Sequence, residues 1–262
     1  MVQQQVTDAV TITSNTFPTE IVELPSRGVF YPESSPLRSG QIEIKYMTAK
    51  EEDILTSSNL IQKGIVLDKL MDSLIVTKGV KSSDLLIGDL NAVMVASRIL
   101  GYGKDYSIEV SCPKCGEKIE EIVDLTTLKT ENEPTDDTKA DISIVLPISK
   151  ATVTLKLLTR ADELAMEKEN KALKKINSES ESEATSRLRA MITSVNGDTN
   201  KATIWKFVDN LLVRDARFVR EQYKLHVPDV DFNVSLECTC SSDPITMRLP
   251  IGVNFFWPDS RV

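Results

Sequence analysis

Four residues could do chemistry by type and spacing: Cys112-Pro-Lys-Cys115 and, more than a hundred residues later, Cys238-Thr-Cys240, which are all the cysteines in the 262-residue chain. Two thiols separated by Pro and Lys and followed by Gly116 have the form of a metal-binding knuckle, because the tight turn aims both thiolates at one ion. The second pair turns this into a four-ligand set, Cys112, Cys115, Cys238 and Cys240, suited to tetrahedral zinc. Four thiolates leave no position for water, so such an ion would be structural, not catalytic. Unligated thiols or a disulfide stand as alternatives. The one-residue spacing of the second pair is less usual for a knuckle than two.

The remaining templates for catalysis are not met. The single histidine, His226, lies just before Val227-Pro228, where a helix should end, with no nucleophile near it in sequence. Gly101-Tyr-Gly103 lacks the Lys and Ser/Thr of a phosphate loop, and no Gly-x-Ser-x-Gly turn occurs. No enzyme is expected, and no cofactor beyond the structural zinc. A formal charge of −8 disfavours a general affinity for phosphate backbones, which rests on basic patches. Nucleic acid and membrane are not expected partners: no apolar run reaches the roughly 20 residues that span a bilayer. Residues 1–17 lack the basic start and apolar run of a signal peptide, so a cytoplasmic setting with reduced thiols is expected, favouring metal over disulfide.

The elements that must position the cysteines follow from periodicity. Residues 1–20 are rich in Gln, Thr and Val and read as a flexible arm. A first unit over 21–128 starts with short extended pieces broken by Pro and Gly, including a strand over 41–46, and enters a helix at the capping box Thr48-Ala-Lys-Glu51. Ile61, Ile65, Leu67, Leu70, Met71 and Leu74 form a helical stripe over 61–76, and a further helix runs from Ser83 to about Leu100. Asp105 to Ser111 alternates into Cys112, and 119–123 returns, which places the first pair at a β-hairpin tip. Residues 129–140 are acidic and read as a linker.

A second unit over 141–250 repeats the order. Extended chain over 144–157, with Val153, Leu155 and Leu157 on one face, leads into Thr159-Arg-Ala-Asp162, a second capping-box start. A charged helix passes into a Ser/Glu tract near 177–183, and one long helix is expected over 200–224. Asp231-Phe-Asn-Val-Ser-Leu-Glu-Cys238 then matches Asp105-Tyr-Ser-Ile-Glu-Val-Ser-Cys112 type for type. The fold class is α+β: two related strand–helix–β-hairpin units whose tips form a zinc-ribbon-like four-cysteine site. Asp215 falls on the apolar stripe of the long helix. It should pair with an arginine, Arg217, Arg220 or one from the other half, or sit at the stripe's edge and reach water. Residues 251–262 form an aromatic tail in which Phe255, Phe256, Trp257 and Pro258 either cover the core or offer an exposed anchor to a partner.

An ordered series of short motifs carries a family resemblance. Leu24-Pro-Ser-Arg-Gly28-Val-Phe-Tyr-Pro32, Met47-Thr48 with Glu51, Glu52 and Asp53, Asp84-Leu85-Leu86-Ile-Gly88-Asp89, Arg98-Ile-Leu-Gly101-Tyr102-Gly103, Cys112-Pro-Lys-Cys115 and Phe255-Phe256-Trp257-Pro258 together resemble the baseplate protein family of T-even-like contractile-tailed bacteriophages. The resemblance implies a non-enzymatic role in the baseplate hub, as a virion subunit or an assembly factor, with other tail proteins as partners and the host cytoplasm as the site of assembly. The Cys-x-Cys spacing departs from the expected two-residue form. From another class, the Cys-Pro-x-Cys-Gly knuckle suggests a zinc-ribbon adaptor binding nucleic acid or other host or phage proteins, and a metal-dependent hydrolase stands third.

Overall fold

In the computed structural model, which describes residues 18–176 and 183–256, the chain enters through an antiparallel hairpin. β1 (Thr19–Glu23) pairs with β2 (Gln41–Lys45), Val22 opposite Ile42. Alternation sends Ile42 and Ile44 inward and Gln41 and Glu43 to water. α1 (Ala49–Thr56) starts where expected, but its box is modified. Glu51 accepts from the Thr48 N–H (2.9 Å), and the Thr48 hydroxyl donates to the same carboxylate (2.6 Å).

The stripe over 61–76 is not one helix. Gly64, in the left-handed region, ends α2 (Ser58–Lys63), and α3 (Val66–Leu74) starts afresh and buries Val66, Leu70, Met71 and Leu74. α4 (Ile87–Tyr102) begins a few residues later than Ser83, because Ser82–Asp84 forms a 3-10 turn. The expected hairpin follows as β3 (Asp105–Ser111) and β4 (Lys118–Asp124).

The acidic stretch over 129–140 is fastened at its start. β5 (Thr130–Glu131) forms a two-stranded ladder with residues 229–230, and the Asn132 amide donates to the carbonyls of Lys224 and Val227 (3.0 and 2.9 Å). Glu133 holds Arg27 (2.8 Å).

Beyond it, β6 (Ile142–Val145), β7 (Thr152–Leu155) and β8 (Ile192–Val195) make an antiparallel sheet in that order, so the extended chain over 144–157 is a hairpin, with Val153, Leu155 and Leu157 buried as expected. α5 (Arg160–Ile176) and α6 (Glu183–Met191) lie between β7 and β8; most of the Ser/Glu tract falls outside the described residues. The long helix expected over 200–224 is two: α7 (Lys201–Asp209) closes at Asn210, whose side chain folds back onto the Lys206 carbonyl (2.7 Å), and α8 (Val213–His226) begins after Leu212. β9 (Asp229–Val230), β10 (Asn233–Cys238) and β11 (Ser241–Arg248) complete the strands among the described residues, the last two forming the second hairpin.

One apolar core takes residues from both sides of the acidic stretch, among them Ile44, Leu70 and Val93 with Val153, Val219 and Phe232. The seam between the sides is polar as well as apolar. The first N–H of α4, on Ile87, donates to the Leu158 carbonyl (3.2 Å), and the first N–H of α5, on Arg160, donates to the Leu85 carbonyl (2.9 Å). The Arg160 guanidinium forks onto both Asp68 oxygens (2.7 and 3.0 Å). Gly88 lets α4 approach the chain closely, since a Cβ there would stand 1.9 Å from the Pro228 carbonyl oxygen.

Contacts also recur on the two sides. Lys45 bonds Glu51 (2.8 Å) as Lys156 bonds Asp162 (2.7 Å), each lysine three residues before a capping threonine. The Thr159 N–H and hydroxyl both lie 3.0 Å from Asp162. Leu24-Pro25 and Leu146-Pro147 each lead into a turn containing a basic residue of positive φ, Arg27 (47°) and Lys150 (58°).

A four-cysteine candidate metal centre

Each hairpin presents its cysteines by a different local device. In the first, β3 delivers Cys112 and the turn is closed by two backbone bonds, Gly116 N–H to the Cys112 carbonyl and Cys112 N–H to the Glu117 carbonyl (both 2.8 Å). Gly116 has φ 77°, the left-handed region that glycine adopts without strain. The Lys114 N–H points at the Cys112 sulfur (3.4 Å). In the second, Cys238 pairs with Ser241 across a two-residue turn, after a register shift between Leu236 and Cys238. That irregularity gives a one-residue spacing the reach of a knuckle, because it re-aims the strand's last side chain.

The tips meet. Cys112 Sγ lies 3.7 Å from Cys240 Sγ and Cys115 Sγ 3.7 Å from Cys238 Sγ, and all four sulfurs are within 4.8 Å of one another. A disulfide needs about 2.05 Å, so these are four separate thiols. Four sulfurs at about 2.3 Å from a central zinc would stand about 3.8 Å apart along each edge of the tetrahedron. The donor set therefore suits a tetrahedral thiolate-binding ion. Sequence spacing predicted all four residues, and the structure brings all four together.

Beneath the sulfurs, Cys112 and Ile119 from one hairpin pack with Cys238 and Ile245 from the other, with Val110 and Met247 at the margin. Outside them, the Thr239 hydroxyl donates to Glu117 (3.1 Å), a direct bond between the two tips. The thiols are electrostatically unequal. The Cys115 N–H, followed by burial and the Lys114 N–H, sets the balance at Cys112, whose thiol falls to about 6. Cys240, whose thiol hydrogen-bonds to the Cys238 and Cys115 sulfurs and whose thiolate is further disfavoured by burial, is pushed up to about 12. At Cys115 the Glu117 N–H favours the thiolate, yet the neighbouring Cys112 sulfur raises it overall. A metal bound here would take the thiols as thiolates and release their protons.

The aromatic tail divides. Phe255 and Phe256 are fully buried, with Phe255 edge-on to Tyr106 at 5.0 Å and to Phe256 at 5.4 Å. The Arg98 guanidinium donates to the Phe255 carbonyl (2.9 Å) and to that of Gly103 (3.0 Å). These two rings cover the core and present no surface to a partner, whereas Trp257 and Pro258 lie outside the described residues. Among the described residues His226 bonds its own helix, through Nδ1 and the Gln222 carbonyl (2.7 Å), and joins no metal-ligating cluster. Among the described residues no helix is long and apolar enough to cross a membrane.

Two buried carboxylates were not foreseen in their actual roles. Among the described residues Asp215 is paired with no arginine; it accepts from the Ile148 and Ser149 N–H groups (2.8 and 2.9 Å). Burial opposes its ionisation, but those two donors outweigh it and hold its carboxyl below the usual range. Asp89 accepts from the Ser26 N–H and hydroxyl and from the Tyr31 hydroxyl (2.9, 2.6 and 2.7 Å), while burial pushes its carboxyl up. The signal for both lay in the recurrence of Leu85-Leu86-Ile87-Gly88-Asp89 as Leu211-Leu212-Val213-Arg214-Asp215.

Neither a curated protein nor a solved structure matches the chain. The family model described as T4 bacteriophage base plate protein matches residues 22–257, and the chain, with most of its length inside that match, belongs to the T4 bacteriophage base plate protein family.

Proposed function

We propose that this chain is a non-enzymatic structural or assembly protein of the baseplate hub, built from two related strand–helix–hairpin units that a structural zinc ion clasps at their tips. The observation that carries the reading is the cross-pairing of sulfurs, Cys112 with Cys240 and Cys115 with Cys238, at 3.7 Å. Each hairpin gives two ligands, so the ion would join regions more than a hundred residues apart. A closed thiolate set supplies rigidity and no reactive water.

The recurrent contacts support the two-unit reading. Lys45–Glu51 recurs as Lys156–Asp162, and Asp89 recurs as Asp215. Cys112 and Ile119 recur as Cys238 and Ile245 beneath the sulfurs. Function then lies in protein–protein contacts with other tail proteins.

The test has two arms. Metal analysis of freshly reduced protein should return about one zinc per chain. Mature particles and assembly intermediates should be probed for the chain: recovery from both marks a virion subunit, recovery from intermediates alone marks an assembly factor, and recovery from neither removes the reading.

A further inference from the structure

At the seam, the first N–H groups of two helices are satisfied reciprocally. Ile87 opens α4 and donates to the carbonyl of Leu158, just before α5; Arg160 opens α5 and donates to the carbonyl of Leu85, just before α4. Leu85 and Leu86 are buried there, Leu86 to 6% exposure.

On the reading of the chain as two related units, each partner in this exchange has a counterpart. Leu85-Leu86-Ile87 corresponds to Leu211-Leu212-Val213 before Asp215, and Leu158-Thr159-Arg160 corresponds to Met47-Thr48-Ala49 before Glu51. The counterparts do not meet. Among the described residues no backbone bond joins them, and neither the Ala49 nor the Val213 N–H, each the first of its helix, has a backbone partner. Leu212 is 52% and Val213 80% exposed, and Ile148, also exposed, adjoins them through Asp215. The contact used at the seam is thus heterologous, and it leaves the two counterpart halves unpaired with each other.

We infer that these unpaired halves bind a second copy of this chain head to tail. Met47-Thr48-Ala49 of one copy docks on Leu211-Leu212-Val213 of the next. The Val213 N–H donates to the Met47 carbonyl and the Ala49 N–H to the Leu211 carbonyl, as Ile87 and Arg160 donate at the seam. Leu212 and Val213 become covered as Leu86 already is. A heterologous contact of this kind builds rings if its rotation closes and chains if it does not.

The test uses the full chain and two proline variants. Ala49 and Val213 are the first residues of their helices, after residues of extended backbone (Thr48 φ −125°, ψ 174°; Leu212 φ −62°, ψ 141°). Ala49→Pro and Val213→Pro therefore each delete the docking donor at a position where proline suits the helix. Sedimentation velocity should show the wild-type chain associating with rising concentration and each variant monomeric. An equimolar mixture of the two variants should form a 1:1 dimer and stop there, because only one intact contact can be made between them.

A wild-type chain that stays monomeric, or variants that associate as wild type does, overturns the proposal. So does association that appears only after deletion of residues 1–17, since that would show the chain's own arm to be the occupant. Zinc content and thermal midpoint read in parallel keep the two ideas apart: a folded monomer with one ion refutes the docking and leaves the two-unit reading standing, whereas a folded chain without metal counts against the reading itself.

Discussion

Asp89 and Asp215 are each the third residue of a helix, α4 and α8, and each accepts backbone N–H groups from the turn of a hairpin on its own side, Ser26 for Asp89 and Ile148 and Ser149 for Asp215. Each carboxylate fastens a helix start to a Leu-Pro turn. An amide in place of either carboxylate would present an NH2 group to donors. Asp215→Asn should therefore cost about 1–3 kcal/mol in denaturant unfolding. Because Asp215 is held below its usual range, wild-type stability should also fall as acid protonates it, and the variant should lose that component of the pH dependence. An unchanged unfolding midpoint would refute the role.

Glu51 makes a second, separate acid-sensitive contact. Burial alone would raise its carboxyl, but bonds from Lys45, Ser73 and Thr48 bring it down to about 2 from an ordinary 4.5. A depressed carboxylate stabilises the folded state fully above its unfolded value, and the contribution disappears as pH falls from about 4.5 through about 2. A shift of this size corresponds to something on the order of 3 kcal/mol. Unfolding curves across that window should flatten in Glu51→Gln; a variant with the wild-type acid profile would contradict the assignment.

The thiol cluster gives a prediction that does not depend on any partner. Cys112→Ser and Cys238→Ser should each lower the thermal midpoint and abolish stoichiometric zinc, because binding energy at a structural site is folding energy. A chelator should reproduce the loss in wild type and leave both variants unaffected. Identical midpoints with and without chelator would count against a structural ion.

At the seam, Gly88→Ala should be strongly destabilising. The added Cβ would meet backbone, the Pro228 carbonyl oxygen at 1.9 Å, so α4 must move away from the chain before β9. Overpacking of this kind costs about 1–3 kcal/mol or more. Ala92→Gly in the same helix serves as the control for helix propensity, at about 1 kcal/mol, and equal losses in the two variants would remove the steric explanation.

Much of this was legible in the chain itself. Alternation into Cys112 and Cys238 located both hairpins, and exhaustion of the cysteine count grouped the four thiols. The α+β class, the capping threonines and the burial of Val153, Leu155 and Leu157 followed from local pattern. What failed was local too: Gly64 and Asn210 ended helices whose apolar stripes run straight through them, since a stripe records which face is buried and not whether the backbone is continuous. The partner of Asp215 was unreadable for another reason. The recurrence of Leu85–Asp89 as Leu211–Asp215 marks the carboxylate as equivalent to Asp89, but backbone N–H groups are present at almost every position, so it does not single out the two at Ile148 and Ser149 that donate to it.

The burial of Phe255 and Phe256 has a consequence for the order of events during synthesis. These rings pack on Tyr106, and Arg98 reaches the Phe255 carbonyl, so the hydrophobic interior of the earlier-translated part is filled by the last of the described residues to leave the ribosome. A nascent chain stopped before residue 255 would leave Arg98 without that carbonyl and Tyr106 without its ring contact, however long its N-terminal part had been free to fold. Completion of the first part is thereby tied to completion of the whole, and a truncated product is marked by an unfilled core.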